Sequence, residues 1–322
     1  MYPLKFTKVL KEKVWGGREF ESFLGVALEP GKTFGESWEV SAHPNGPSVV
    51  ENGPWAGRTL PELTTTEGAQ LVGRSLHDKF GATFPLLIKY LDVHDKLSIQ
   101  VHPDDEYALA HEGEFGKSEC WYILKASPDA RLILGMEPGV TRQDFAEKSR
   151  RGDWTGLFRE TPVAAGDFLH ITPGTVHASL TGSVLLCEIQ QNSDTTYRIY
   201  DFDRLENGKK RPLHLDKALD VIHFGEDPKH SHAGDRPRRQ EPGAVVEPLV
   251  ADPHYTVDRL EVTGVYAEAP EDRFRVYSIL EVEGRLVCEG QSFALRAGDT
   301  WLIPANLPVS LEGKLVALRS VA

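Results

Sequence analysis

A short run of the chain, Ser98 to His102, carries an amide and an imidazole two residues apart. In a β-strand, residues i and i+2 project from the same face, so Gln100 and His102 would lie side by side while Ile99 and Val101 face the other way. An amide oxygen and an imidazole nitrogen on one rigid element can bind the same metal ion. A half-exposed strand with solvated polar side chains explains this stretch equally well, so the decision rests on the rest of the chain.

Two further residues could complete a metal site, Glu119 and His177. A strand predicted over 117–124 places Lys117 and Glu119 on one face, and His177 enters a strand after a Gly-Asp, strand, Pro-Gly pattern. Two imidazoles, one carboxylate and one amide suit zinc, with iron, manganese and cobalt left open. One anionic ligand leaves a divalent ion with a net charge of about +1, which suits a reaction that builds negative charge on substrate oxygens.

Several elements must position these residues. Apolar runs predict buried strands over 84–93 and 184–191, and a lysine inside the first of them, Lys89, is costly unless it reaches a cavity or a partner. Trp15 opens a segment, 15–18, that reads as a turn with an aromatic anchor. Capping residues and apolar periodicity predict helices over 59–80, 141–151 and 215–223, and residues 104–112 are predicted to form a short helix or a turn.

The segment from Gly166 to Gly174 resembles the segment from Gly298 to Ala305. Each has a Gly-Asp pair, a predicted strand and then a turn that contains proline. Four residues after the proline stands His177 in the first copy and Pro308 in the second. The pattern favours two β-barrel domains of one type, of which only the first kept a metal site.

We therefore predict a mainly β chain of two domains. Residues 1–235 would form the metal-binding domain with short inserted helices, and residues 236–322 a β domain without metal ligands. The polar, Pro-rich stretch 226–243 is predicted to be a linker. Two histidines in it, His230 and His232, could bind a metal, although a solvated linker explains them better.

Composition limits the classes of function. The 322 residues are 40% hydrophobic and 26% charged, as in ordinary globular proteins, and the net charge of −12 argues against nucleic acid and anionic membranes as partners. It does not exclude a small anionic substrate, because a local group of basic residues would suffice. Three widely spaced cysteines, no export signal and no apolar run of membrane length together predict a cytoplasmic protein without disulfides.

Taken together, these motifs resemble those of type I phosphomannose isomerases, enzymes of the cupin superfamily. The resemblance, strongest for the short bacterial branch over residues ~10–205, is carried by these segments: Trp15–Gly17, Gly35–Glu39, Ser98–Pro103, Lys117–Glu119, Pro173–Ala178 and Arg198. It implies two cupin-type jelly-roll barrels and reversible interconversion of mannose 6-phosphate and fructose 6-phosphate through an enediol or enediolate. It also implies one zinc ion per chain, bound by Gln100, His102, Glu119 and His177.

The resemblance assigns catalytic roles to Arg198 and Lys117. It further implies that Ser98, Lys89, Lys117 and Trp15 face the phosphorylated hexose. We expect the cluster of Lys89, Lys117 and Ser98 to bind the phosphate at the end of the pocket away from the metal. Arg204 is a second candidate for the arginine, because the short-branch form of residues 193–204 differs from that of the longer enzymes.

Two alternatives stay open at this point. The first is a phosphosugar-binding or regulatory cupin without catalysis, and the second is another reaction at the same metal, such as dioxygenation or a different aldose isomerisation. The group that moves the proton is not identified: a metal-bound hydroxide, a lysine and a carboxylate all remain candidates. The chain is expected to be a monomer or a homodimer.

Overall fold

The computed structural model describes residues 1–206, 208–226 and 228–322. Twenty-three strands are present in the described residues, in chain order β1 (Leu4–Lys5), β2 (Val9–Gly17), β3 (Phe34–Val40), β4 (Leu86–Val93), β5 (Ile99–Val101), β6 (Glu119–Ala126), β7 (Arg131–Met136), β8 (Phe158–Pro162), β9 (Phe168–Ile171), β10 (His177–Thr181), β11 (Val184–Gln191), β12 (Tyr197–Tyr200), β13 (Leu205–Glu206), β14 (Lys209–Lys210), β15 (Lys229–Ser231), β16 (Arg239–Glu241), β17 (Ala244–Ala251), β18 (Thr256–Val262), β19 (Val265–Glu268), β20 (Arg275–Cys288), β21 (Gln291–Ala294), β22 (Thr300–Ile303) and β23 (Val309–Val321).

All α-helices of the described residues lie in the first 221 residues of the chain. They are α1 (Glu19–Phe23), α2 (Leu60–Glu67), α3 (Ala69–Val72), α4 (Arg74–Phe80), α5 (Asp105–His111), α6 (Arg142–Arg150) and α7 (Leu215–Val221), with a 3-10 turn at Gly53–Trp55. The predicted mainly β fold with short helices inserted in its N-terminal part is confirmed. None of the helices in these ranges has the length and apolar character needed to cross a membrane.

Two antiparallel sheets form the N-terminal unit. The seven-stranded sheet has the order β15-β9-β6-β11-β4-β2-β3, and the five-stranded sheet has the order β12-β5-β10-β7-β8. One hydrophobic cluster joins Leu91 and Trp121 of the larger sheet to Leu132 and Leu134 of the smaller one. The two sheets therefore pack face to face, as the sheets of a jelly roll do.

The C-terminal unit is a nine-stranded antiparallel sheet built around the long strands β20 and β23. In place of converging metal ligands, its core holds an ionic cluster in which Glu268 contacts Arg275, Tyr277 and Arg319. Among the described residues of this sheet, no three His, Cys, Asp or Glu side chains converge.

The two units are not joined by a linker alone. β1, at the start of the chain, pairs with β22 of the C-terminal sheet, with Leu4 opposite Leu302. The stretch predicted as a linker contains two strands, since β15 is an edge strand of the seven-stranded sheet and β16 begins the C-terminal sheet. Asp227 of that stretch lies outside the described residues. We keep the boundary between residues 235 and 236 as a proposal.

The duplicated Gly-Asp turn is present in both units with the same hydrogen bonds. In the first copy the Asp167 carboxylate accepts a hydrogen bond from the backbone N–H of Ala164 at 3.0 Å, and in the second Asp299 accepts one from Arg296 at 2.9 Å. Both glycines have positive φ, 88° at Gly166 and 80° at Gly298, where a side chain would be strained. The sequence echo therefore reflects one turn used twice.

Trp15, predicted to open a turn, instead lies inside β2, which continues to Gly17. The prediction of a turn over 15–18 is wrong, because Gly16 and Gly17 continue the strand and allow β2 to lie close to β3. A Cβ on Gly16 would lie 2.4 Å from the carbonyl carbon of Phe34.

The interface between the units has a hydrophobic core of its own. Phe84 and Phe274, one from each unit, are both fully buried, and their ring centroids lie 4.5 Å apart. We expect Phe274→Ala to lower the free energy of unfolding by about 3–5 kcal/mol, because it leaves a cavity that neither unit can fill alone. Chemical denaturation measures the change in unfolding free energy. The control is Val265→Ala, because Val265 is 57% exposed. Equal stability of the two variants would contradict the prediction.

Candidate metal centre and active site

Strand register brings three of the predicted site residues together. In the five-stranded sheet, β5 lies between β10 and β12, with Gln100 opposite His177 on one side and Arg198 on the other. Glu119, the first residue of β6, comes from the facing sheet. Residues separated by up to 98 positions in the chain thus meet between two sheets, and the polar face of β5 points into the barrel rather than into water.

The predicted metal ligands converge on one point. Nε2 of His102 lies 3.5 Å from Oε2 of Glu119, and Nε2 of His177 lies 3.2 Å from Oε1 of the same carboxylate. Nε2 of the Gln100 amide is 3.1 Å from Nε2 of His177, so in this structure the amide turns its nitrogen, not its oxygen, to the centre. The side chains of His102, Glu119 and His177 are almost completely buried.

Each histidine is oriented by its other ring nitrogen. Nδ1–H of His102 donates a hydrogen bond to the carbonyl of Thr195 at 2.9 Å, and Nδ1–H of His177 donates to that of Thr175 at 3.0 Å. Both Nε2 lone pairs therefore face the centre, the arrangement found around metal-bound imidazoles. Burial, together with the nearby charge of Lys117, lowers the pKa of His102 well below its usual value, which keeps it in the neutral form that metals bind.

Glu119 supplies the test of whether a metal fits. The carboxylate is fully buried, its Oε2 pairs with Lys117, and its Oε1 receives no well-directed hydrogen bond within the described ranges. Burial alone would raise the pKa of Glu119, but Lys117 and the two histidines hold it well below the usual value. An ionised, buried carboxylate with free lone pairs, facing two imidazole lone pairs, matches the donor set of a borderline divalent cation.

Lys117 lies at the ligand end of the pocket. Its Nζ is 2.9 Å from Oε2 of Glu119 and 3.2 Å from Nε2 of His102. The expectation that the lysine group lies away from the predicted metal is therefore wrong for Lys117, since its strand position two residues before Glu119 places both side chains on one face. Burial lowers the pKa of Lys117, yet the carboxylates of Glu119 and Glu188 outweigh this and raise it above its usual value.

A cavity of about 280 Å³ opens beside this centre. Its walls include five basic side chains but only three carboxylates, and five of the predicted residues, Trp15, Lys89, Ser98, Lys117 and Arg198, line it together with the Gln100 amide. Because the permanently charged groups sum to an excess of positive charge, the cavity favours an anionic ligand in spite of the net charge of −12 on the chain.

Lys89 has an ionic partner and also reaches the cavity, the two ways in which a lysine inside an apolar strand can be accommodated. Its Nζ pairs with Oε1 of Glu188 at 3.3 Å and lies over the ring of Trp38, 5.0 Å from the centroid, while the side chain also lines the cavity. Glu188 is directly opposite Lys89 in the register of β11 and β4, and Nε1–H of Trp121 donates to its second oxygen at 3.0 Å.

Arg198 and Arg204 have different surroundings. Arg198 lines the cavity and donates to the carbonyl of Pro212 at 3.0 Å, but within the described ranges it forms no ion pair and its Nε–H has no acceptor. Arg204 pairs with Asp201 at 2.7 Å and is not among the residues that line this cavity. Arg198 is therefore the arginine that has donors free for a ligand.

Several residues that line the cavity were not predicted as site residues: Lys13, Glu36, Glu188, Asp194, Thr196, Arg211 and His214. Glu188 carried a usable signal, because it is a charged residue inside an apolar run, as Lys89 is. Arg211 and His214 follow the strand pair β13–β14 on a surface loop, and no local pattern distinguished them.

The C-terminal unit touches the site through Asp252. Its Oδ2 accepts a hydrogen bond from Oγ of Ser118 at 2.9 Å and lies 2.9 Å from Nε2 of His170. Ser118 stands between Lys117 and Glu119, so this carboxylate holds the start of β6 in place.

Loss of that contact is expected to loosen both neighbours of Ser118. We expect Asp252→Ala to lower kcat/KM by roughly tenfold, since loss of an outer-shell partner typically costs 10–100-fold. Asp252→Asn, which keeps an oxygen acceptor, should recover most of the activity. Steady-state kinetics with thermal unfolding as a folding check measure this; equal losses in the two variants would contradict a positioning role.

The chain is similar in sequence to known proteins over almost its whole length. A sequence model described as phosphomannose isomerase type I, catalytic domain, matches residues 3–124. The chain is 40% identical over 316 residues to the probable mannose-6-phosphate isomerase GmuF of Bacillus subtilis, covering 97% of this chain and 96% of the relative. It is 39% identical to the mannose-6-phosphate isomerase of Streptococcus mutans, covering 95% and 93% of the two chains.

A solved structure agrees with these sequence matches. The crystal structure of mannose 6-phosphate isomerase from Bacillus subtilis superposes with a TM-score of 0.90 at 36% identity, covering 99% of each chain. The jelly-roll architecture is thus the one found in a sugar-phosphate isomerase of known structure.

The chain belongs to the type I phosphomannose isomerase family. The family is metal-dependent, and the described residues include potential metal-ligand groups. The predicted resemblance and the enzyme class are confirmed, and the comparisons give no support to the regulatory alternative.

Proposed function

We propose that this chain interconverts mannose 6-phosphate and fructose 6-phosphate in the cavity between its two N-terminal sheets. The observation that carries the proposal is the junction of two features: a converging His-Glu-His group and a cavity rich in basic side chains, which meet at Gln100 and Lys117. A sugar phosphate needs both, a centre that stabilises charge on its reacting oxygens and cations that bind its phosphate.

The metal would be held by Gln100, His102, Glu119 and His177, one ion per chain, and we propose zinc. The buried carboxylate of Glu119, whose Oε1 lacks a hydrogen-bond donor in the described residues, and the two oriented Nε2 atoms support this set. Gln100 would need to present its amide oxygen in place of the nitrogen. When bound, a divalent ion would supply Lewis-acid stabilisation of negative charge on substrate oxygens.

The protein's own groups account for binding and orientation. Isomerisation moves a proton between C1 and C2 and passes through an enediol or enediolate. Arg198, whose Nε–H has no acceptor in the described residues, would donate hydrogen bonds to the oxygens on which charge develops. Lys117 lies beside the same centre, and Lys89, Ser98 and Trp15 line the remaining cavity and would contact the phosphosugar.

Metal removal tests the proposal directly. We expect a strong chelator to reduce isomerisation of mannose 6-phosphate to background, and one equivalent of Zn²⁺ to restore it, because the site loses its cation but keeps its ligands. A coupled assay for fructose 6-phosphate together with elemental analysis measures both. Mannose and glucose 6-phosphate serve as controls, and full activity in verified metal-free protein would overturn the proposal.

The setting of the enzyme is also proposed. Three buried, unpaired cysteines support a reducing compartment, and we propose the cytoplasm. We propose a monomer or a homodimer, which light scattering after gel filtration would distinguish. Residues 1–235 would form the catalytic domain and residues 236–322 the C-terminal β domain.

A further inference from the structure

A second group of potential ligands lies outside the active site, at the edge of the seven-stranded sheet. It consists of Asp167, in the turn before β9, with His230 and His232. β15 pairs with β9 so that His230 lies opposite Leu169, and the two histidines, two residues apart, project from the same side of the chain. None of the three residues lines the cavity described above.

The distances suit a metal ion. Nε2 of His230 is 3.1 Å from Oδ2 of Asp167, and Nδ1 of His232 is 3.2 Å from Oδ1. All three ligand atoms lie within 4.8 Å of one another. Zinc bonds of roughly 2.0–2.2 Å in a tetrahedral site place neighbouring ligand atoms about 3.3 Å apart. The spacing matches that of the active-site group, where the His177–Glu119 distance is 3.2 Å.

The second copy of the turn shows that the histidines are not needed to build it. Asp299, the counterpart of Asp167, accepts the same backbone hydrogen bond and pairs with a single cation, Lys5, at 2.8 Å. Asp167 is only 2% exposed, and within the described ranges no lysine or arginine pairs with it; both of its ionic partners are imidazoles. A buried carboxylate needs a compensating cation, and here the chain itself supplies only imidazole nitrogens.

We propose that Asp167, His230 and His232 bind a second divalent ion of the zinc class. Two imidazoles and one carboxylate are the donors such borderline ions prefer. The His232 side chain is 61% exposed, so water can complete the coordination on the outer side. The ion fastens β15, and with it the chain that leads to the C-terminal sheet, to the turn at Gly166.

Arg236 reinforces the same junction from the protein side, because it donates to the carbonyl of Gly166 at 2.9 Å and pairs with Glu247 of the C-terminal sheet. The metal and this arginine hold the same connection between the two units.

Metal stoichiometry tests the proposal. Metal-free full-length protein is titrated with Zn²⁺ by calorimetry, and bound metal is counted by elemental analysis after gel filtration. The wild type should bind two equivalents and His232→Ala one, with affinity for the second ion weakened more than about 100-fold, since loss of an outer-shell partner alone costs 10–100-fold. The exposed position of His232 makes misfolding of this variant easy to exclude by circular dichroism.

Two further variants separate this site from the active site. In His177→Ala the second site should still take up one equivalent, and adding His230→Ala and His232→Ala should remove it. His94→Ala is the matched control, because His94 is an exposed histidine that pairs with one aspartate, Asp92, at 3.1 Å without a second imidazole. Equal stoichiometry in wild type and His232→Ala, or equal losses in His232→Ala and His94→Ala, would overturn the proposal.

Discussion

Replacing His177 with alanine is expected to abolish isomerase turnover, by at least about 10³-fold, and to deplete the active-site metal. His177 is fully buried, and its Nε2 faces Glu119 at 3.2 Å. Removing it leaves a buried, ionised carboxylate with one imidazole fewer and opens a cavity where a ligand stood. Loss of a ligand and loss of charge stabilisation act together, so the effect should exceed that of removing a side chain that only contacts the substrate.

The measurement combines kcat for mannose 6-phosphate with the metal content of the same preparation. His43→Ala is the matched control, because His43 is also buried, at 4% exposure, but pairs with Glu114 and is not in a potential ligand group. It should retain metal and most activity. Normal turnover by a metal-free His177→Ala protein would refute the assignment of the metal centre.

Replacing Arg198 with alanine should lower kcat by about 10²–10³-fold while leaving the metal content unchanged. Losses of this size follow removal of one preorganised donor to a developing oxyanion. Arg198 is suited to that role because its guanidinium lines the cavity, forms no ion pair within the described ranges, and lies next to Gln100 across the β5–β12 register.

Arg198→Lys separates charge from geometry. A lysine keeps the positive charge but lacks the planar fork of donors, so it should recover little of the activity. Arg204→Ala serves as the comparison: Arg204 pairs with Asp201 and stands outside the cavity lining, and its loss should change kcat by less than tenfold. A larger loss in Arg204→Ala than in Arg198→Ala would transfer the role to Arg204.

Much of the candidate site could be predicted because its residues sit in local patterns with strong physical meaning. Gln100 and His102 share a strand face through the two-residue period, and Glu119 and His177 belong to short motifs bounded by turns. Lys89 stood out because a charge inside an apolar run demands a partner. The structure brings all of these together in one region, although their metal-binding and substrate-binding roles remain predictions.

Other features could not be predicted because they depend on contacts between distant segments. Arg211 and His214 reach the cavity from a loop that follows the strand pair β13–β14. The histidines at 230 and 232 looked like part of a solvated linker, since nothing in the local sequence shows that β15 pairs with β9 and brings them to Asp167.

The period of each strand, the turns that end it and the types of donor it carries depend on neighbours a few residues away, and they can therefore be predicted from the chain alone. They indicated the mainly β fold and the duplicated turn, and the motifs they form resemble those of the family. Strand pairing and the choice of facing surfaces depend instead on the tertiary structure. The pairing of β5 with β10 and β12 places Gln100 between His177 and Arg198, and Asp252 of the other unit holds Ser118. Such contacts join residues far apart in the chain, and the packing of whole sheets decides them.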